Sequence, residues 1–321
     1  MIKAHFAHLA DLHLGCESGG GTGNRGPETR HEDFFAAFER AINQIHITTL
    51  ADPYDAILIS GDIFHKLRPS SADLARTIDL FRKLGQAAPV YAIEGNHDHP
   101  RTRQVVSPCR ILEEAHVVTM LDGSNAVLPN MTLWGGSQDW TDDDWQALLK
   151  TIPDTDGPIN ILMAHGFYKN EKFPKLYAEK ELPLDVKYCS CLDYIALGHL
   201  HSPYVSEALM PMNETDGPVW AYPGSIEHTS LAPMAGYTTS ETLGYYDVTI
   251  MDTPRVVLVD FVTVPIRRRI HITIDATEKS ADEVHTATMA ELARMPQTAE
   301  PLIVHVKIIK ATKPMHVSIG T

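Results

Sequence analysis

The sequence predicts an α/β protein, a layered sheet with helices outside, followed by a small α+β piece. Three observations carry this reading. Five short, apolar, β-branched runs (residues 6–10, 56–60, 90–94, 159–163 and 194–197) each end in Gly, Asp or His. Such a run reads as a buried strand delivering a polar loop. Segments with apolar residues at helical spacing alternate with these runs. The 321 residues, 44% of them hydrophobic, can bury a large core as one main domain plus a smaller one.

The first run leads into Asp11-Leu12-His13, then a Gly-rich stretch over 17–27 that reads as a surface loop. Thr29-Arg30-His31-Glu32 has capping-box spacing and predicts a helix through about Leu50, with Phe34, Phe35, Phe38 and Ile42 on its apolar side. The second run ends in Gly61-Asp62-Ile63-Phe64-His65. Arg68-Pro69 then opens a helix over 70–84, where Leu74, Ile78 and Phe81 recur at helical spacing and Gly85 is the stop. Gly95-Asn96-His97-Asp98 closes the third run, before a helix over about 103–115 that Pro108 must kink or delay. Thr141-Asp142-Asp143-Asp144 caps a helix in which Trp145, Leu148, Leu149 and Ile152 face inward, and the acids suit its N-terminus. The fourth and fifth runs end in Ala164-His165-Gly166 and Gly198-His199-Leu200-His201. From about residue 216 strands dominate (218–222, 243–251, 256–264). Residues 267–275, 280–295 and 301–310 then read strand, helix, strand, with a capping box at Ser280-Ala281-Asp282-Glu283. The expected domains are therefore 1–264 and an appended subdomain, 265–321.

The five loops bring Asp11, His13, Asp62, Asn96, His165, His199 and His201 to one edge of the sheet. This set offers oxygen and imidazole without sulphur, which suits a pair of divalent transition metals such as Mn²⁺, Fe²⁺ or Zn²⁺ better than a structural zinc. Two ions about 3.5–4 Å apart can clamp a phosphate, lower the pKa of a shared water and stabilise attacking and leaving oxygens. Asp62 is the best candidate for a bridging carboxylate. In the His199-Leu200-His201 segment, period-two geometry sends two imidazoles in different directions from one extended loop. Asp98 either orients His97 through its ring N–H or caps the following turn. Of the cysteines, Cys189 and Cys191 form a C-x-C pair without the second pair a zinc site needs. With Cys16 and Cys109 they read as reduced, structural or incidental cysteines.

The order and spelling of the five fragments resemble the calcineurin-like metallophosphoesterases, and within them the DNA-repair exonuclease branch of SbcD-type nuclease subunits. His8-Leu9-Ala10-Asp11-Leu12-His13-Leu14-Gly15 resembles that branch's opening. Gly61 to His65, followed by Arg68-Pro69-Ser70, resembles its second motif with the extra histidine, and Tyr222-Pro223-Gly224-Ser225-Ile226-Glu227 a late loop. The resemblance covers about residues 1–264. It implies a layered calcineurin-like β-sandwich with flanking helices and a capping subdomain, here only partial. It implies that Asp11, His13 and His201 hold one metal, that Asn96, His165 and His199 hold the other, and that Asp62 is shared. His97 would protonate the leaving group or stabilise the pentacovalent transition state. His65 would help place the DNA backbone, the alternative being a surface histidine at a helix start. Arg68, Tyr222, Gly224 and Ser225 become substrate-binding candidates, because Pro-Gly makes a tight turn exposing N–H groups and a hydroxyl to phosphate. His99 and His228 adjoin these motifs and are further candidates for the groove.

The implied function is a Mn²⁺-dependent exonuclease and endonuclease of DNA repair and recombination. Its implied partners are DNA, an SbcC-type coiled-coil ATPase and a second copy of itself, paired through 70–84 and 103–115. The ATPase-binding helices usual in the family have no counterpart in residues 265–321. The formal net charge of −14 argues against unaided DNA binding, although bound cations and the groups Lys66/Arg68, Arg101/Arg103 and Arg267-Arg268-Arg269 offset it locally. The alternatives are a phosphoesterase for cyclic nucleotides or another small phosphoester, and a metal-free interaction module. No run is long and apolar enough to cross a bilayer, and Met1-Ile2-Lys3-Ala4-His5 opens a strand and not a signal peptide, so the expected location is cytoplasmic, away from membranes.

Overall fold

The computed structural model describes residues 2–17, 27–100, 102, 105–153, 159–168, 181–182, 191–206, 217–229, 242–251, 255–267, 269–295 and 303–310. Most of the expected Gly-rich loop, Arg101, Arg103, Cys189, Arg268 and the tail after residue 310 lie outside them.

Strand β1 (Ile2–Leu9) leads to α1 (Pro27–Ala51), β2 (Ala56–Ser60), α2 (Ser71–Leu84), β3 (Val90–Ile93), α3 (Pro108–Glu114) and β4 (Thr119–Met120). There follow β5 (Asn125–Val127), β6 (Met131–Gly135), α4 (Asp142–Thr151), β7 (Ile159–His165), β8 (Phe167–Tyr168), β9 (Glu181–Leu182), β10 (Tyr194–Gly198), β11 (Tyr204–Val205) and β12 (Val219–Tyr222). The chain returns through β13 (Leu243–Met251) and β14 (Val256–Val264) before β15 (Arg269–Asp275), α5 (Ala281–Ala293) and β16 (Ile303–Ile309).

Two six-stranded sheets result, ordered β14-β13-β1-β2-β3-β4 and β11-β12-β10-β7-β6-β5. Alternation along each strand assigns its side chains to two different cores. Phe6, Leu58 and Ile93 of the first sheet meet Ile161, Met163, Tyr194 and Ala196 of the second in a core between the sheets. Ala7, Leu9, Ile57 and Ile59 turn the other way, onto Phe35 and Phe38 of α1 and Phe81 of α2. Leu162, Ala164, Ile195 and Leu197, on the far face of the second sheet, pack on Trp145 and Leu149 of α4. The layers are therefore helix, sheet, sheet, helix. Because both faces of the central strands are covered, their sequences are continuous apolar runs. Each fully buried Leu, Ile or Phe contributes roughly 1.5–3 kcal/mol.

Reciprocal caps start three helices: Ser70 with Asp73 at α2, Thr141 with Asp144 at α4 and Ser280 with Glu283 at α5. Ser107 caps α3 with Pro108 in its first turn, so the proline delays that helix and does not kink it. Helix α1 departs from the sequence reading. It begins at Pro27, two residues before Thr29, which places the Thr29–Glu32 spacing inside the helix. Strand β6 also escapes the sequence reading, since its run is short and delivers no polar loop.

Strands β1, β2 and β3 run parallel, as do β7 and β10, so five loops leave C-terminal strand ends beside one another. After β14, β15 and β16 pair in parallel with α5 against them, around a small core of Ile272, Ile274 and Val284. Arg40 Nη1 donates to Pro265 O at 3.1 Å, and Arg267 pairs with Asp33 at 2.8 Å, tying this unit to α1.

Candidate metal centre

Asp62 follows β2 and is buried. Its Oδ2 lies 3.6 Å from His13 Nε2 and 3.4 Å from His165 Nε2, and its Oδ1 accepts from the His97 amide at 2.8 Å. Beside it, Asp11 accepts from the His199 amide with both carboxylate oxygens at 3.0 Å. His13 Nε2 and His201 Nε2 face each other 3.0 Å apart. Two nitrogens each about 2.1 Å from one ion, at right angles, would sit about 3.0 Å apart. One donor atom from each of Asp11, His13, Asp62 and His201 falls within a 4.8 Å cluster. Across Asp62, Asn96 Oδ1 and His165 Nε2 are buried without a hydrogen bond of acceptable geometry. The His199 ring packs on His165 and on Phe167, with centroids 5.2 and 4.7 Å apart. Unpartnered buried lone pairs and converging imidazoles are costly unless a cation completes them, so these residues fit divalent metals.

The loops reach this geometry through unusual backbone. Asp11 (φ 52°), His13 (φ 44°), Asp62 (φ 50°) and His199 (φ 94°) are left-handed, a region L residues adopt only when their surroundings over-determine it. Asp11 N donates to Gly61 O at 3.0 Å and His13 N to Asp62 O at 2.9 Å. The expectation of an extended His199-Leu200-His201 segment is thereby corrected. Strand β10 ends at Gly198, and a left-handed turn held by the Asp11 carboxylate separates the two imidazoles. Close approach also restricts residue 95, where a Cβ would lie 2.1 Å from Asp62 Oδ1, so Gly95 admits no side chain.

Outer contacts fix the rings. His165 Nδ1 donates to Ser60 O at 2.8 Å, which turns Nε2 toward Asp62. Gln138 Nε2 donates to His165 O at 2.8 Å. His97 Nδ1 donates to His65 O at 2.7 Å, and the two rings stack with centroids 5.1 Å apart. His65 Nδ1 is 3.3 Å from His13 Nδ1, so His65 backs the ring of a candidate ligand. Neither of the two readings open for Asp98, orienting His97 or capping the following turn, describes its contacts, because every amide it binds precedes it in the chain. Its carboxylate accepts from the amides of Ile63 and Phe64 at 2.9 Å and of Gly95 at 3.2 Å, locking the second loop to the third.

Burial dominates the electrostatics. It pushes Asp11 and Asp98 above the usual carboxylate range, with the Asp62 charge adding to each shift. It lowers His201 to about 4 and His13 well below the ordinary imidazole value. Asp62 and His165 go the other way. Burial alone would neutralise both, yet each charge stabilises the other, holding Asp62 far below and His165 above its ordinary value.

The substrate-binding candidates divide. Arg68 is exposed between His65 and α2. Tyr222 is fully buried, its hydroxyl donating to Gly166 O at 3.0 Å and accepting from Tyr168 N at 2.8 Å, so it braces the turn after His165 and does not face a phosphate. Ser225 is likewise buried, its amide 3.3 Å from His201 O, and Gly224 turns against the same carbonyl. His99 pairs with Glu94 at 2.7 Å. Sequence reasoning missed Ser60 and Gln138, because nothing local marks a residue whose partner lies 105 or 27 positions away.

The calcineurin-like phosphoesterase profile matches residues 4–203, a span that contains all seven candidate ligands, so the chain belongs to that family. Its relatives narrow the class. The chain is similar to the DNA double-strand break repair protein Mre11 of Archaeoglobus fulgidus, 30% identical over 249 residues, 70% of this chain and 51% of that protein. The Mre11 of Aeropyrum pernix is 28% identical over 341 residues, covering 96% of this chain and 73% of its own length. That of Halobacterium salinarum is 28% identical over 234 residues, 71% and 53% of the two chains. The chain thus spans about half the length of the first and third. Among the described residues no helix is long and apolar enough to cross a membrane.

Proposed function

We propose that this protein is a DNA nuclease of two divalent ions, Mn²⁺ in the first instance, hydrolysing phosphodiesters in double-strand break repair. The observation that carries the reading is the Asp62 carboxylate poised between His13 Nε2 and His165 Nε2, beside the unpartnered Asn96 Oδ1. Asp11, His13 and His201 would hold one ion, Asn96, His165 and His199 the other, and Asp62 both. Bound there, the ions would supply a hydroxide nucleophile and neutralise charge on the phosphate. His97 spends Nδ1 on the His65 carbonyl, which leaves Nε2 for proton transfer to the leaving oxygen. His65 steadies His13 from behind and presents its remaining ring edge toward the DNA backbone. Arg68 is the exposed cation nearest in sequence to this pair and takes a substrate phosphate.

The names of the relatives support DNA as substrate. The family resemblance supports an SbcC-type ATPase partner, a homodimer and a cytoplasmic setting. Val106, just before α3, and Ile111 on it, 65% and 40% exposed, suit a surface covered by a second copy. The separate small core after β14 supports the division into 1–264 and 265–321. A second reading, a phosphoesterase for small diesters, is favoured by the net charge of −14, which weakens attraction to DNA.

The test incubates purified protein with Mn²⁺ and end-labelled linear DNA, alongside bis-p-nitrophenyl phosphate and the Asp62→Asn variant. Degradation of DNA that disappears in the variant is the expected result. Cleavage of the small diester with DNA left intact, and still intact after an SbcC-type ATPase is added, would transfer the assignment to the second reading.

A further inference from the structure

His201 sits beyond the end of β10, its side chain 35% exposed, so no strand fixes its rotamer. Its Nε2 faces His13, while its Nδ1 lies 2.7 Å from Thr229 Oγ1. An imidazole that gives Nε2 to an ion carries its proton on Nδ1, which makes the Thr229 oxygen the acceptor.

Thr229 is the last described residue of the segment after β12, and the residues leading to it are seated firmly. Gly224 (φ 78°) lies so close to His201 O that a Cβ would be 2.9 Å from it. Glu227 is fully buried and accepts from Arg30 Nη2 at 3.2 Å and from the His228 amide at 2.9 Å. Arg30 Nη2 also donates to His228 O at 2.8 Å, and its Nη1 binds Asp33 at 2.6 Å. The ion pair therefore grips the amide and carbonyl of the residue that precedes Thr229. A buried ion pair breaks roughly even against apolar packing of the same shape, so stability alone is a weak reason for it. Orientation is a better one.

We infer that Thr229 is a positioning residue for His201, held in register by the buried Arg30–Glu227 pair, so that this late loop sets the affinity of one of the two ion sites. The inference rests on the metal reading proposed above. It gives the Tyr222–Glu227 motif a task consistent with its buried side chains, one that phosphate contact does not supply.

Calorimetric titration of the metal-free protein with Mn²⁺ tests it, comparing the parent with Thr229→Val and Thr229→Ser and recording the thermal melt of each metal-free form. Valine keeps the shape and removes the acceptor. It should weaken one Mn²⁺ site about 10–100-fold while leaving the metal-free melt unchanged, and serine should restore the affinity. Equal affinity in parent and valine variant overturns the inference, as does a loss that serine fails to restore or one matched by a lower metal-free melt. A parent protein that binds no Mn²⁺ removes the metal reading itself, an outcome distinct from all of these.

Discussion

The two sheets contribute unlike halves to one site. The first supplies Asp11, His13, Asp62 and Asn96, rich in oxygen, the first three of them in left-handed turns. The second supplies only imidazoles, and one of them, His165, is the last residue of a regular strand. Charge thus resides on one sheet and much of the directional lone-pair geometry on the other. Neither half is a binding site by itself. Ions held between them would fasten the sheets together at an edge where the inter-sheet core has ended.

This contrast can be broken most severely at Asp62, whose carboxylate faces ligands from both sheets. Asp62→Asn should abolish hydrolysis of bis-p-nitrophenyl phosphate and remove Mn²⁺ binding in calorimetry, whereas His199→Ala should abolish hydrolysis by emptying chiefly one site. A variant at Asp62 that still binds two ions would deny it the bridge. His97→Ala should keep both ions and lose about 10²–10⁴ in kcat, and loss of metal in that variant would sink its assigned role. Preferential binding to the folded protein also predicts that Mn²⁺ at about 100 times its Kd adds about 2.7 kcal/mol per site to the urea unfolding free energy. An unchanged midpoint would mean that the folded form does not bind the ions preferentially.

The smallest effect probes the first sheet away from the ions. His5 on β1 places Nε2 2.7 Å from Asp247 Oδ1 on β13 and Nδ1 3.2 Å from Pro53 O, so both nitrogens meet acceptors. Burial is the largest single influence and opposes the charged ring, yet the hydrogen bond to Asp247, the charges of Asp247 and Asp52 and the Pro53 carbonyl together outweigh it and raise the His5 pKa above 6.5. With the folded value raised, the stabilisation is complete below the unfolded value and is lost as pH rises through the folded one. Urea melts from about pH 6 upward should therefore show the parent's advantage over His5→Gln shrinking. An advantage that grows with pH would mean that the ring is neutral.

Much of this architecture was legible in advance because it is locally encoded. Strands buried on both faces write themselves as continuous apolar runs, and their polar endings, Asp11, Asp62, Asn96, His165 and His199, marked in the sequence the loops that the fold brings to one edge. Reciprocal caps such as Ser70 with Asp73 are equally local. What escaped depends on contacts far apart in the chain. Nothing near His199 announces φ 94°, since the Asp11 carboxylate that imposes it lies 188 positions away. Tyr222 looked like a phosphate contact because a Pro-Gly turn follows it. Its side chain, set by the alternation of β12, points into the protein instead. The start of α1 was misjudged for a related reason: Thr29 and Glu32 fit a cap by spacing, but the helix is already under way, with Arg30 drawn inward by Glu227.

The left-handed turns at Asp11, His13, Asp62 and His199 bear on how ions are chosen. Hydrogen bonds from Asp11, His13 and His199 hold the turns from within the chain, so the donor atoms converge on points fixed before any guest arrives. A pliant receptor swells or shrinks to the radius of what it binds, whereas a rigid one ranks its guests by size. Conformational freedom is lost once, at folding, and not again at each loading. Discrimination among doubly charged ions then falls to coordination radius and preferred geometry, which the fold itself has set.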